Sequence, residues 1–441
     1  MSQTSVLSSL SEINEKYRMF RTITSETDAG DAKFLFSAKD NLTSKDMETC
    51  SGSRILEGYR PPFDATSIAR MREAGGLLVG KTNMDEFGFG TFSTNSAFGV
   101  PRNPYDLERS CGGSSGGAAC AAAVMEGHVA IGVSTGGSIC CPASFCGVYG
   151  IVPTYGRVSR YGLLDYGNSL DKIGIISSNA SDLGKYVGIM AGADPRDPTS
   201  CVQPAIGARR KLESVAVPKG ATEGVSEAVR KAFADGLEAL KGMGVDVETV
   251  EMPSLKYAIP AYYVIATSEA STNLARYCGM RYGHQYGDLS LKFDDYFTSF
   301  RSQYFGEEAK RRILLGTFTR MVGFRDRYYS KARMVRQSII GEYRSVLRGC
   351  DAVLTPTMPF VSPKFSDISI MTPVESYKAD ILTGPPNIAG MPHASVPCGY
   401  DGDGMPVGMQ FVADHWDEGV LFSAAEEWEK NFDAVRPEVS I

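Results

Sequence analysis

The sequence predicts an α/β protein, with a mixed β-sheet core sheathed by helices on both faces. Short apolar runs bounded by turn residues alternate with longer segments of helical character, the pattern of strands buried on both sides. The 441 residues are 43% apolar and 22% charged, ordinary for a globular chain whose core needs no metal or disulfide. No repeat of fixed period and no low-complexity tract interrupts the chain. At roughly 150 residues per domain the length allows two or three domains, or one large α/β unit.

Residues 1–30 are polar and read as an N-terminal helical segment with a loose connection. Residues 34–37 read as a short buried strand running into the polar turn Ala38-Lys39-Asp40-Asn41. Asp64 stands where it can cap a helix over 65–74, which ends at Gly75. Leu77-Leu78-Val79 is a strand, and 88–117 is loop, rich in Gly, Ser, Thr, Asn and Pro. A small-residue helix at 118–124 precedes a strand at 129–133, which delivers Ser134-Thr135-Gly136-Gly137-Ser138. Beyond a Pro/Asp/Gly loop at 192–200 come strand 214–217, a helix at about 223–242, strand 245–250 and a helical block over about 260–348. Strand 352–355, a loop region at 387–397, strand 406–412 and helix 417–431 close the chain. Residues 31–441 are therefore taken as one domain with a mainly helical insertion at about 255–348.

The formal net charge is −6. Mild acidity argues against a dedicated nucleic-acid binder, so any contact with RNA is local or supplied by a partner. No run of about 18 apolar residues is present, and no membrane span is expected. The polar N-terminal stretch has no apolar h-region, so the expectation is a cytoplasmic chain without a secretory signal. Ten cysteines are scattered without a CxxC pair, which suits reduced thiols and neither a zinc site nor a disulfide framework.

Two features compete for the chemistry. Gly75-x4-Gly80-Lys81-Thr82 matches the phosphate-loop pattern G-x4-G-K-S/T. That loop must follow a strand and open a helix, whereas here a helix precedes Gly75 and the intervening residues are apolar. Nucleotide binding is the minor reading. The rarer feature is a pair of Gly/Ser loops, Gly112-Gly113-Ser114-Ser115-Gly116-Gly117 and Thr135-Gly136-Gly137-Ser138. Glycines beside a serine permit turns in which N–H groups converge, and each donor aimed at an oxyanion is worth on the order of 3 kcal/mol. A serine nucleophile also needs a base. His128, His284, His393 and His415 lie in no context suggestive of a histidine–carboxylate triad. Lys39 follows the apolar run Phe34-Leu35-Phe36, and burial there would lower its pKa into the working range of a base.

Lys39-Asp40-Asn41, the first serine loop and Gly136-Gly137-Ser138-Ile139, in this order, resemble the motifs of the amidase signature family. The flanks agree: Gly80-Lys81-Thr82-Asn83-Met84-Asp85-Glu86-Phe87, Asn103-Pro104-Tyr105-Asp106-Leu107 and Gly147-Val148-Tyr149-Gly150-Ile151-Val152-Pro153-Thr154. The resemblance implies that Ser138 is the nucleophile, Ser114 the bridging serine and Lys39 the base. The backbone of Thr135, Gly136 and Gly137, on to Ser138, would form the oxyanion hole. Ser115 is the alternative bridging serine, and the spacing to Ser138 favours Ser114.

The second half is similar to the glutamine-hydrolysing subunits of tRNA-dependent amidotransferases. Lys310-Arg311-Arg312-Ile313-Leu314-Leu315-Gly316-Thr317-Phe318 and Asp380-Ile381-x3-Pro385, with Asn387-Ile388-Ala389-Gly390-Met391-Pro392, carry the likeness. It implies that Arg312 and Asp380 hold glutamine, with Arg311 as the alternative arginine. It further implies ammonia supply for converting Glu-tRNA(Gln) to Gln-tRNA(Gln), or Asp-tRNA(Asn) to Asn-tRNA(Asn). A partner subunit would bind charged tRNA and use ATP and Mg²⁺, a small third subunit would complete a heterotrimer, and this chain itself would need no cofactor. A stand-alone amidase acting on another small amide is the alternative. The chain departs from the family pattern at Ser134, where Asp is usual, at Cys140-Cys141, where Arg and a polar residue are common, and at Ile175, often Pro.

Overall fold

The computed structural model describes residues 3–26, 29–200, 202–207, 209–285 and 288–439. In chain order the first elements are α1 (Gln3–Tyr17), β1 (Phe20–Ile23), β2 (Phe34–Lys39), α2 (Thr66–Glu73), β3 (Gly76–Thr82), α3 (Gly116–Val124), β4 (His128–Ser134), α4 (Cys140–Phe145), β5 (Tyr149–Val152) and β6 (Lys172–Ser177). Next come α5 (Ala180–Met190), β7 (Ser214–Pro218), α6 (Glu227–Gly242), β8 (Asp246–Val250), α7 (Ala258–Asn273), α8 (Phe293–Tyr304), α9 (Glu307–Arg320) and α10 (Lys331–Val346). The chain closes with β9 (Ala352–Pro356), α11 (Phe365–Ile370), α12 (Pro373–Lys378), α13 (Gly384–Ile388), β10 (His393–Tyr400), β11 (Pro406–Val412) and α14 (Glu418–Asn431).

Among the described residues eleven strands form one sheet, in the order β1-β3-β2-β4-β6-β5-β10-β11-β9-β7-β8. It is mixed: β3, β2 and β4 run parallel, the centre from β4 to β9 is antiparallel, and β9, β7 and β8 are again parallel. Helices cover both faces. Phe34, Phe36 and Ala38 of β2 pack into one core with residues of α2, α5, α6 and α14, while Leu35 packs with residues of α1, α3 and α4 on the other face. All six residues of β2 are buried. Alternation sends Lys39 to the face of Leu35, where α3 begins.

Three local expectations are corrected. Asp64 does not cap α2: Ala65 is the N-cap, without a side-chain bond, and the Asp64 carboxylate accepts the Lys45 N–H at 2.9 Å. The 387–397 stretch is not loop throughout, since it finishes α13 and then enters β10, a strand inside the sheet. The polar first segment also contributes β1, an edge strand antiparallel to β3. Strands β5 and β6 escape the sequence reading because each is short and broken by a glycine (YGIV and KIGIIS). No helix among the described residues is long and apolar enough to cross a membrane.

Candidate active site

Three parallel strands end at one edge of the sheet. In register, Lys39 at the end of β2 stands beside Thr82 at the end of β3, while β4 runs alongside and exits at Ser134. In α/β sheets such carboxyl ends are where ligands bind. Here they release Lys39, the Asp85-Glu86 pair and the 134–138 loop side by side.

The Lys39 amine is buried and donates to Ser114 Oγ at 2.7 Å and to the Val133 carbonyl at 3.0 Å. Burial pulls its pKa down to about 7, against the attraction of Asp85 and Asp171. The Gly113–Ser114 peptide is cis. The two serine loops touch: the Ser115 N–H donates to the Ser138 carbonyl at 3.2 Å. Ser115 Oγ instead donates to the Val133 carbonyl at 3.3 Å, so the hydroxyl on the lysine belongs to Ser114. Among the described residues no histidine bonds to either loop; His128, for instance, pairs with Ser37 Oγ at 2.8 Å.

The loop around Ser138 is fixed from outside. Thr135 Oγ1 donates to Asp171 Oδ1 at 2.6 Å, and Asn387 Nδ2 donates to the Thr135 carbonyl. Asp171 also accepts the N–H groups of Tyr166 and Gly167 at 2.8 and 3.0 Å, and burial pushes its carboxyl up to about 6. Among the described residues the N–H groups of Gly136, Gly137 and Ser138 donate to no protein acceptor. Gly137 is packed so closely that a Cβ there would collide with Thr383 Oγ1 and stand 3.1 Å from Asp380 Oδ1. The serine loop and Asp380 are therefore neighbours across most of the sequence.

Asp380 is buried and accepts from Thr91 Oγ1 and Tyr263 OH, both at 3.1 Å. Burial pushes its carboxyl up to about 6, with those two hydroxyls and Arg312 acting the other way. Of the two adjacent arginines on α9, the Arg311 side chain is 42% exposed and pairs with Glu308, whereas that of Arg312 is 3% exposed. Arg312 donates to Glu308 Oε1 at 2.8 Å and to Tyr166 OH at 2.6 Å. Its guanidinium carbon lies 5.2–5.5 Å from the ring centres of Phe89, Tyr166, Tyr263 and Tyr377, a cation–π box.

Sequence reasoning missed this box and the two carboxylates beneath the loops. Asp85 takes the N–H groups of Ser93 and Asn95, each at 2.9 Å; Ser93 Oγ in turn donates to the Gly112 carbonyl at 2.7 Å and accepts from the Gly116 N–H at 3.1 Å. A buried anion thus braces the first serine loop. Asp85 lies within one of the motifs that flank the serine loops, but Asp171, Thr91, Tyr166, Tyr263 and Tyr377 form no local pattern. Among the departures, Ser134 is buried and hydrogen-bonded to the Gly136 carbonyl at 3.4 Å, and Ile175 is a core residue. Cys141 reaches the site, donating to the Thr91 carbonyl at 3.4 Å, behind Asp380.

The phosphate-loop reading fails. Gly76–Thr82 is strand β3, and Lys81 is buried, donating to Thr49 Oγ1 at 2.9 Å and facing Asp40 at 3.6 Å. Its amine has no access to a nucleotide. No cluster of His, Cys, Asp or Glu among the described residues is arranged to hold a metal ion, and the nine described cysteines are free thiols.

A buried amine held near neutrality and bonded to a serine, beside a Gly/Ser loop with unpaired N–H groups, is the equipment of a lysine-dependent serine amide hydrolase. The chain belongs to the amidase family, whose sequence profile matches residues 34–422. It is 40% identical to the amidase-family subunit of glutamyl-tRNA(Gln) amidotransferase from Clostridium botulinum, over 96% of this chain and 92% of that one. It is 44% identical to the subunit of the same name from Methanosarcina mazei, over 90% of this chain and 83% of that one. The crystal structure of the same glutamyl-tRNA(Gln) amidotransferase subunit from Thermotoga maritima superposes with a TM-score of 0.84 at 36% identity, covering 100% of this chain and 95% of that one.

Proposed function

We propose that this chain is the glutaminase subunit of a tRNA-dependent amidotransferase. The observation that carries the reading is the 2.7 Å bond between the buried Lys39 amine and Ser114, in a site whose wall holds Arg312 and Asp380. Ser138 Oγ attacks the side-chain amide carbon of glutamine. Its proton passes to Ser114 as the Ser114 proton passes to neutral Lys39. The N–H groups of the Thr135–Gly136–Gly137–Ser138 turn receive the oxyanion. Lys39 then returns its proton through Ser114 to the departing nitrogen, which leaves as ammonia. Water, activated along the same relay, cleaves the glutamyl ester and releases glutamate.

Arg312 grips the α-carboxylate of glutamine and Asp380 its α-ammonium, a charge-paired recognition that a planar guanidinium makes bidentate. Serine, hydroxyl and amine suffice for this hydrolysis, so the chain needs no cofactor of its own. ATP and Mg²⁺ serve a partner subunit that binds the charged tRNA, and a small third subunit completes the cytoplasmic assembly. The named relatives favour this over a stand-alone amidase. The test is co-expression with the cognate partner subunits and an assay of amide transfer from glutamine to Glu-tRNA(Gln) and Asp-tRNA(Asn). Transfer that requires glutamine and is lost in Ser138→Ala supports the reading. Glutamine hydrolysis indifferent to partner, ATP and tRNA favours the stand-alone amidase.

A further inference from the structure

Asp85 and Glu86 are adjacent but bind in different directions. Asp85 braces the first serine loop, while Glu86 reaches the start of the helix that carries Arg312. The Glu86 carboxylate is 3% exposed. It accepts the Ser53 hydroxyl and, on its two oxygens, the Gly306 N–H at 3.1 and 2.9 Å. Gly306 is the N-cap of α9 and supplies no side-chain cap. An anion at this end of a helix satisfies an orphan N–H and meets the positive end of the helix dipole. Here that anion comes from a distant strand exit.

The fit is tight. A Cβ on Gly306 would stand 2.5 Å from Glu86 Oε2. Next along the chain, Phe87 packs edge-on against Phe305 with ring centres 5.9 Å apart. Two residues beyond Gly306 is Glu308, whose carboxylate holds Arg312 Nε at 2.8 Å. A chain of named contacts thus runs from the β3 exit through Glu86 and Gly306 to Glu308 and Arg312.

We infer that Glu86 is a positioning residue that sets α9, and with it the Arg312 guanidinium, against the serine loops. This rests on the reading of Arg312 as the glutamine grip. The Asp85-Glu86 pair then ties relay and grip to one strand end, so that the amide carbon is presented at the depth where Ser138 can attack.

The experiment compares Glu86→Ala, Gly306→Ala and the double variant in the full chain within its amidotransferase complex, with KM and kcat for glutamine as readouts. Gly306 has φ −69° and ψ 166°, a backbone that alanine adopts freely, so its substitution disturbs the contact from the helix side with Glu86 intact. Each single variant is expected to raise KM by about 5- to 30-fold with kcat within about twofold, the size of one lost hydrogen bond to a charged group. The double variant should be no worse than the worse single, because both break one contact. Unchanged KM in Gly306→Ala, a fall in kcat without a rise in KM, or multiplying effects in the double overturns the inference. Should Glu86→Ala not fold, Gly306→Ala decides alone. Arg312→Ala, assayed alongside, separates the failures: if it leaves KM unchanged the grip itself is wrong, and if only it raises KM the positioning role alone is wrong.

Discussion

The two halves of the site are built by different means. The relay half hangs on parallel strands β2, β3 and β4, so that Lys39, the braces of the first serine loop and the 134–138 turn leave one sheet edge within a few residues of a strand end. Main-chain bonds hold it, such as Ser115 N–H to the Ser138 carbonyl at 3.2 Å. The grip half has no such frame. Arg312 comes from a helix of the insertion, Asp380 from a 3₁₀ turn after α12, and the rings around them from four separate segments. Reactive groups are held by backbone on rigid elements, and selecting groups by side chains. Chemistry and recognition should therefore come apart under mutation, the first in kcat and the second in KM.

The largest break is Ser138→Ala. Removing the nucleophile should lower ammonia release by about 10³- to 10⁶-fold, as for nucleophiles acting in a unit, while size-exclusion chromatography still finds the chain with its partners. Lys39→Ala should come close to this. Lys39→Arg is the sharper variant, because a guanidinium keeps the charge and cannot give up its proton; it should be as inactive as the alanine. Activity of Lys39→Arg above about a tenth of the parent would place the base elsewhere. With the amine at about 7, the reactive form is the neutral one, so kcat/KM should rise with pH through about 7 and level off above. A profile flat from pH 6 to 8 contradicts a lysine base.

On the other side, Arg312→Ala should raise KM for glutamine by about 30- to 10³-fold, the range of a lost charge-assisted contact of roughly 2–4 kcal/mol, with a smaller change in kcat. Arg311→Ala, removing an exposed neighbour, should change KM by less than about twofold. Equal effects of the two arginines would erase the distinction that burial draws between them.

This contrast also explains what could be read beforehand. Lys39, Ser114 and Ser138 sit in short loops whose glycines and serines are legible because the geometry is local. Neighbouring residues on a helix point roughly 100° apart, so Arg311 and Arg312 look alike until the burial of α9 separates them. The box around Arg312 was invisible, since Phe89, Tyr166, Tyr263 and Tyr377 lie far apart in the chain and meet only by tertiary packing. The same holds for the fold. Fully apolar strands such as β2 declare themselves, whereas β1 (FRTI) and β6 (KIGIIS) become strands only because partners lie on either side or along an edge. Lys81 shows the converse, a perfect local pattern whose strand context leaves the amine buried against Asp40.

The smallest expected effect tests whether the relay half is as rigid as its main-chain bonding indicates. Thr135 Oγ1 is 2.6 Å from Asp171 Oδ1, and the Thr135 carbonyl is held separately by Asn387. Thr135→Val keeps the β-branched shape and removes only the hydroxyl, leaving Asp171 its two backbone donors at 2.8 and 3.0 Å. One neutral donor to a charged acceptor is lost, about 1.5–3 kcal/mol in gross terms, but the Asn387 bond still fixes the turn. The expected result is a fall in kcat of about 3- to 10-fold with KM unchanged, since the N–H groups that receive the oxyanion shift slightly while the grip does not. A rise in KM instead would mean that the 134–138 turn also positions the ground-state substrate, and that the two halves are mechanically one.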